Sequence, residues 1–173
     1  MASMIAPQSG KTDSLSDPAM TAANARIASS GAFDGSTHVY PVRVFYEDTD
    51  AAGIVYYANY LKFAERARTE LMRLLGAEHR TLAARDGIGF AVRACAAEYR
   101  LPARLDDALE VHTRVTAVGG ASIDMTQTVV RPEAGDVVPL VEMTIRLACI
   151  DRRQRAARLP ADVRGALRGL GAR

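Results

Sequence analysis

The sequence predicts an α+β domain in which an antiparallel five-stranded sheet wraps around one long central helix. Three observations carry this expectation. From Tyr60 to Leu75 apolar residues recur at three- and four-residue steps, which is the period of one helical stripe. Beyond Gly87 the period changes to two and holds through four separate runs. A fifth run, rich in Val and aromatic residues, precedes the helix.

Taken in order, residues 1–36 read as a disordered N-terminal extension, because half of them are Ala, Ser or Gly and no period is sustained. Residues 37–173 read as the folded domain, and a chain of 173 residues favours one such unit. The run HVYPVRVFYE alternates roughly and predicts the first strand. A polar turn, EDTDAAG, ends in Gly53, and Asn59 is placed to cap the helix that follows. Phe63, Ala64, Ala67, Leu71, Leu74 and Leu75 form the stripe, and Gly76 is a natural stop. A short helix is expected over 78–85. The four later strands are marked by Ile88, Phe90, Val92 and Ala94; by Leu109, Val111, Thr113 and Val115; by Ile123, Met125, Gln127 and Val129; and by Val141, Met143, Ile145, Leu147 and Cys149. Gly119 and Gly120 predict a tight hairpin between two of these runs. Val163, Leu167 and Leu170 are spaced for a terminal amphipathic helix. A single-layer sheet leaves edge strands, and pairing them between two chains manages that hazard, so a dimer with a continuous sheet is expected.

Composition excludes several classes. A formal net charge of +2 does not advertise a nucleic-acid binder. Seven Arg against two Asp from Asp151 onward make a basic tail, read as a solvated face. No run reaches the roughly 18 apolar residues of a membrane span, and the N-terminus lacks the basic start and apolar stretch of a signal peptide. Cys95 and Cys149 lie in strand-like runs outside any CxxC or metal pattern; buried reduced thiols are expected, with a cross-strand disulfide as the alternative. This places the chain in the cytoplasm, either free or peripheral at the inner membrane. There is no GxSxG, Walker A, GxGxxG or HExxH motif, and His38, His79 and His112 are too scattered to form a triad or metal set. No cofactor or metal is expected.

One segment stands apart. Phe45 to Phe63, FYEDTDAAGIVYYANYLKF, holds six of the ten aromatics and three acidic residues. It sets Asp48 and Asp50 on a turn just before the N-terminal end of the central helix. Free backbone N–H groups at such an end hold negative charge and would polarise a carbonyl placed there. A neighbouring carboxylate can then attack that carbonyl or activate a water. Against this stands the ordinary role of Asp in turns, which is to bond nearby backbone N–H groups.

The run from Val44 through Glu70, with its E-D-T-D-A-A-G-I-V-Y-Y-A-N-Y-L and E-R-A-R-T-E, resembles the YbgC-type acyl-CoA thioesterases associated with the Tol-Pal region. It also resembles the 4-hydroxybenzoyl-CoA thioesterases that carry a catalytic Asp in the same loop. Glu98-Tyr99 through Ala103–Asp107, and Arg158–Pro160, add to the match. The resemblance implies a hotdog fold with active sites at a dimer interface, in a homodimer or homotetramer. It implies an acyl-CoA substrate, hydrolysed by Asp50 as nucleophile or general base. Tyr57 would supply the polarising backbone N–H, and Tyr46, Val55 and Asn59 would contact substrate. Asp48 would shape the loop, and Glu65 is a rival carboxylate because another hotdog lineage uses a helical Glu. Many YbgC-type members have His where this chain has Tyr57, so acid–base help from that side chain is in question while the backbone role survives. Arg152, Arg153 and Arg155 are candidates for the CoA phosphates. Two rival readings remain: a hotdog module that binds acyl carrier protein or an envelope complex without turnover, and a hydratase, ranked last of the three.

Overall fold

The computed structural model describes residues 30–133 and 135–171. Its elements are β1 (Ala32–Asp34), β2 (Thr37–Arg43), a 3-10 turn (Tyr46–Asp48), α1 (Asn59–Leu74), α2 (His79–Arg85), β3 (Ile88–Tyr99), β4 (Ala108–Val118), β5 (Ser122–Glu133), β6 (Asp136–Asp151) and α3 (Ala161–Gly169). The strands form one antiparallel sheet in the order β1-β2-β4-β5-β6-β3.

The sheet has six strands where five were expected. The extra one, β1, falls inside the segment read as a disordered extension; the part of that segment over residues 1–29 lies outside the described residues. β1 pairs Ala32 with Val39 and Phe33 with His38, and glycines with positive φ, Gly31 and Gly35, bracket it. Three residues between such glycines give no periodic signal, so composition alone hides the strand.

α1 crosses the concave face of the sheet, packing against β2, β4 and β5. Phe63, Ala64, Ala67 and Leu71 are fully buried and meet a floor of Leu109, Val111, Ile123, Met125 and Val129. Burying Phe63 or Leu71 is worth roughly 1.5–3 kcal/mol each. Leu74 falls outside this contact and is exposed. The helix stops as expected at Gly76, whose φ of 70° lets Gly76 N–H reach Arg73 O at 3.0 Å and Ala77 N–H reach Met72 O at 2.9 Å. Asn59, expected to cap the start, is instead the first helical residue; it is buried and its side chain is turned back into the preceding loop.

The inward positions of β4, β5 and β6 are buried as their alternation requires. The inward polar residue, Gln127, is fully satisfied: its amide donates to Ala64 O and Thr113 Oγ1, both at 2.9 Å, and accepts from Arg68 at 2.8 Å. The Gly119–Gly120 hairpin closes through Gly119 N–H to Ser122 O at 2.9 Å. α3 forms with Val163 and Leu167 buried.

β3 departs from expectation. A bulge between Val92 and Ala94 reverses its facing, so Ala94 pairs with exposed Arg146 while Cys95 pairs with inward Ile145. Cys95 is therefore on the helix side yet exposed, because β3 is an outer strand; Cys149 is buried, and both are free thiols. Burial pushes the Cys149 thiol pKa up.

The three histidines are not gathered: His79 is exposed, His112 is half-buried beside Glu110, and His38 is in the interior. His38 is buried between the rings of Phe33 and Tyr40 and donates through Nε2 to Ser30 O at 2.9 Å.

Candidate active site

The loop between β2 and α1 is folded by its own polar groups. Asp48 is buried; its Oδ2 accepts from Phe45 N–H at 2.9 Å, and its carbonyl accepts from Tyr56 N–H and the Asn59 side chain, each at 2.9 Å. Asp48 thus ties the loop's entrance to the start of α1, the shaping role expected of it. Between these anchors Thr49 to Val55 forms a small hairpin. Asp50 N–H donates to Ile54 O, and Gly53 N–H donates to Asp50 O, both at 2.9 Å. Gly53 takes φ 73°, which a side chain would resist. The hairpin rests on the connector after β3: Val55 N–H donates to Ala103 O at 2.9 Å, and Ile54 bridges Arg104.

Asp50 is exposed at the tip. Its Oδ1 accepts from Ala52 N–H at 2.8 Å, the local turn bond expected of an Asp there. That bond also orients the carboxylate, and the other oxygen has no partner among the described residues. Asp50 opens on a groove of about 370 Å³ lined by Val55, Tyr56, Tyr57, Tyr60, Tyr99, Leu101 and Pro102. Two further hollows, of about 360 and 410 Å³, are saddles on the outer sheet face around Ala96, Thr126 and Thr144. Neither sets a carboxylate beside a helix N-terminus.

On the groove wall, the peptide between Tyr56 and Tyr57 has a fixed direction. Its C=O accepts from Asn59 N–H at 2.8 Å, so its planar partner, Tyr57 N–H, must point the opposite way. Tyr57 N–H has no acceptor among the described residues. The tyrosines stack in a chain: Tyr56 to Tyr57 at 4.6 Å, Tyr57 to Tyr99 edge-on at 6.2 Å, and Tyr99 to Tyr60 at 5.9 Å. Tyr60 accepts Ala103 N–H at 2.8 Å. Burial raises the phenol pKa of Tyr60 and Tyr99, and the adjoining Tyr57 phenol raises that of Tyr56. All three are O–H donors at neutral pH.

The structure brings together Asp50, Val55 and Tyr57. It does not bring in the rest. Tyr46 sits in the 3-10 turn rather than in a strand, 82% exposed and outside the groove. Asn59 serves the Asp48 carbonyl from a buried position. Glu65 is exposed on α1, bonded to Thr69 at 2.8 Å and away from the groove. Arg152, Arg153 and Arg155 follow Asp151, which pairs with Ile88 at one end of the twelve-residue β3, whereas the groove lies at Tyr99 at the other. Along the strand that is roughly 35 Å at about 3.3 Å per residue. Within one chain these arginines cannot serve the groove; Arg152 donates to Ala83 O at 3.4 Å instead. Ile54, Tyr56, Tyr60, Tyr99, Arg100, Leu101 and Pro102 were missed as lining residues. Tyr60 carries the helical period and reads as core, and the Leu101-Pro102 connector has no period at all.

A six-stranded antiparallel sheet around a central helix, with this groove at the helix N-terminus, is a hotdog fold of the thioesterase kind. The model of the thioesterase-like superfamily matches residues 44–167, and the chain belongs to that superfamily as a thioester hydrolase grouped with the YbgC acyl-CoA thioesterases. It is 41% identical to the acyl-CoA thioesterase YbgC of Haemophilus influenzae over 132 residues, spanning 76% of this chain and 94% of that one. It is 45% identical over 112 residues to the acyl-CoA thioester hydrolase YbgC of Escherichia coli O6:H1, spanning 65% and 81%. Among solved structures, the 4-hydroxybenzoyl-CoA thioesterase of Pseudomonas sp. strain CBS-3 superposes with a TM-score of 0.69 at 26% identity, covering 75% of this chain and 98% of the other.

Proposed function

We propose that this chain hydrolyses an acyl-CoA to a free acid and CoA, with Asp50 acting on the thioester carbonyl that Tyr57 N–H polarises. The observation that carries this reading is one groove lined both by Asp50, whose carboxylate Ala52 N–H orients, and by Tyr57, whose N–H has no acceptor among the described residues. As the carbonyl carbon becomes tetrahedral, its oxygen gains negative charge, and the fixed N–H stabilises that charge without having to reorganise. Two courses fit. Asp50 attacks the carbonyl carbon, CoA leaves as thiolate, and water cleaves the resulting anhydride. Alternatively, Asp50 takes a proton from a water that attacks directly. Oxygen-18 entering Asp50 in a single turnover marks the first course; label confined to the product acid marks the second.

The apolar tyrosine walls suit the acyl group and the pantetheine arm. The working unit is a homodimer or homotetramer built through the open edge of β3, where a second copy continues the sheet. Acyl carrier protein is an alternative carrier of the same thioester.

Thiol release from short, long and aromatic acyl-CoAs tests the reading, with the wild type beside Asp50→Asn. The expected result is a fall of about 100-fold or more in the folded variant. Equal rates would move the chemistry to Glu65. A wild type inert across the panel would replace hydrolysis with binding.

A further inference from the structure

The peptide on the other side of Tyr57 is held from a different element. Tyr57 O accepts the Tyr99 hydroxyl at 3.2 Å, and among the described residues it has no other donor. This is also the one hydrogen bond among the described residues between β3 and the 56–58 segment. The Tyr99 ring packs edge-on against Tyr57 and Tyr60, so the phenol arrives from a fixed direction. Its raised pKa keeps the proton on the oxygen.

We propose that Tyr99 is a positioning residue for hydrolysis: its hydroxyl locks the peptide after Tyr57 and so holds the Tyr57 N–H at the angle the substrate carbonyl requires. This rests on the reading of that N–H as the polarising donor. With Asn59 N–H gripping the carbonyl before Tyr57 and Tyr99 gripping the carbonyl after it, both backbone torsions of Tyr57 are bounded. Removing the second grip frees the carbonyl after Tyr57 and relaxes the Tyr57 torsions, so the N–H drifts from its best angle even while Asn59 N–H still holds the carbonyl before it, and a hydrogen bond weakens as its angle departs from linear. Tyr99 does not itself touch the reacting atoms. Its loss should be felt when charge develops, not when substrate binds.

Tyr99→Phe keeps the ring and removes the hydroxyl. Expected is a fall of about tenfold in kcat with KM changed by less than about twofold, the signature of an interaction used in the transition state. The second readout needs no turnover. The acyl-CoA cleaved fastest by the wild type is labelled with carbon-13 at the carbonyl and bound to Asp50→Asn, and its carbonyl stretch is recorded by isotope-edited infrared spectroscopy. A polarising N–H lowers that frequency relative to free ester, and the shift should shrink in Asp50→Asn/Tyr99→Phe. An unchanged band in the double variant, together with full kcat in Tyr99→Phe, would overturn the role of Tyr99 and leave Tyr57 standing. No lowering in Asp50→Asn alone would overturn the Tyr57 reading, and the role of Tyr99 with it.

Discussion

Strand β1 closes one side of the sheet with three residues, while β3 leaves twelve along the other. β1 is bracketed by left-handed glycines, and its Phe33 packs on the buried His38, so little of this edge is offered for pairing. β3 offers a long edge of small and apolar residues, with Val92 53% and Tyr99 45% exposed. Short edges protect themselves; long apolar edges call for a partner. The contrast leaves β3 as the edge on which the proposed second copy would pair, and the groove lies on that side.

The strongest way to break the comparison is a charge on β3. Ala97→Glu places a carboxylate where two copies would meet. Sedimentation should show the assembly weakened about 100-fold or more, since like charges facing each other cost several kcal/mol. Thiol release should fall with it, and an unchanged oligomer would remove β3 from the interface.

The matching change at the other edge is Gly31→Ala. The new Cβ would lie 2.3 Å from Val39 O at a φ of 79°, so β1 must shift. A loss of about 1–3 kcal/mol in urea unfolding is expected, with the oligomer and kcat intact. A drop in kcat would mean that the two edges are not independent.

The third test uses pH. Burial lowers the His38 pKa, against partial opposition from its bond to Ser30 and from Glu70, itself paired with Arg73. A depressed histidine favours the neutral form when folded, so the unfolded chain takes up more protons as the pH drops. His38 therefore contributes stability that is complete above about 6.5 and lost as the pH falls toward its folded value. The melting temperature should decline over that window, and the slope should flatten in His38→Gln.

The smallest effect belongs to Asp34→Lys, on the exposed rim of β1. A change within about 0.5 kcal/mol is expected, with sedimentation unaltered. A new oligomer would show that β1 is less self-protecting than its length suggests.

The order of helix and strands was legible because α1, β4, β5 and β6 each bury one face against the same core, and such faces print their period in the sequence. β1 was illegible because three residues cannot show a period. The bulge at Val92 and Ala94 was illegible because it depends on the register with β6. In the candidate site, Asp50 and Tyr57 were singled out through a loop motif that is contiguous in the chain, and both line the groove. Tyr99, Leu101 and Pro102 reach the groove only through tertiary folding, and Asn59 could not be told from a cap until the Asp48 carbonyl was seen above it. The basic tail was read as a solvated face, and Arg152, Arg153 and Arg155 are exposed; charge alone could not tell which end of a strand they occupy.

The hairpin that carries Asp50 takes its register from Ala103 and Arg104, in the connector between β3 and β4. That connector is thus a ruler rather than a spacer. One residue added between Leu101 and Ala103 would slide the hairpin by about 3.3 Å, farther than a carboxylate can be displaced and still meet its carbonyl. Insertions among relatives should be scarce between Arg100 and Asp107. On the proposed reading, the length of this plain stretch matters to hydrolysis as much as the aspartate it measures.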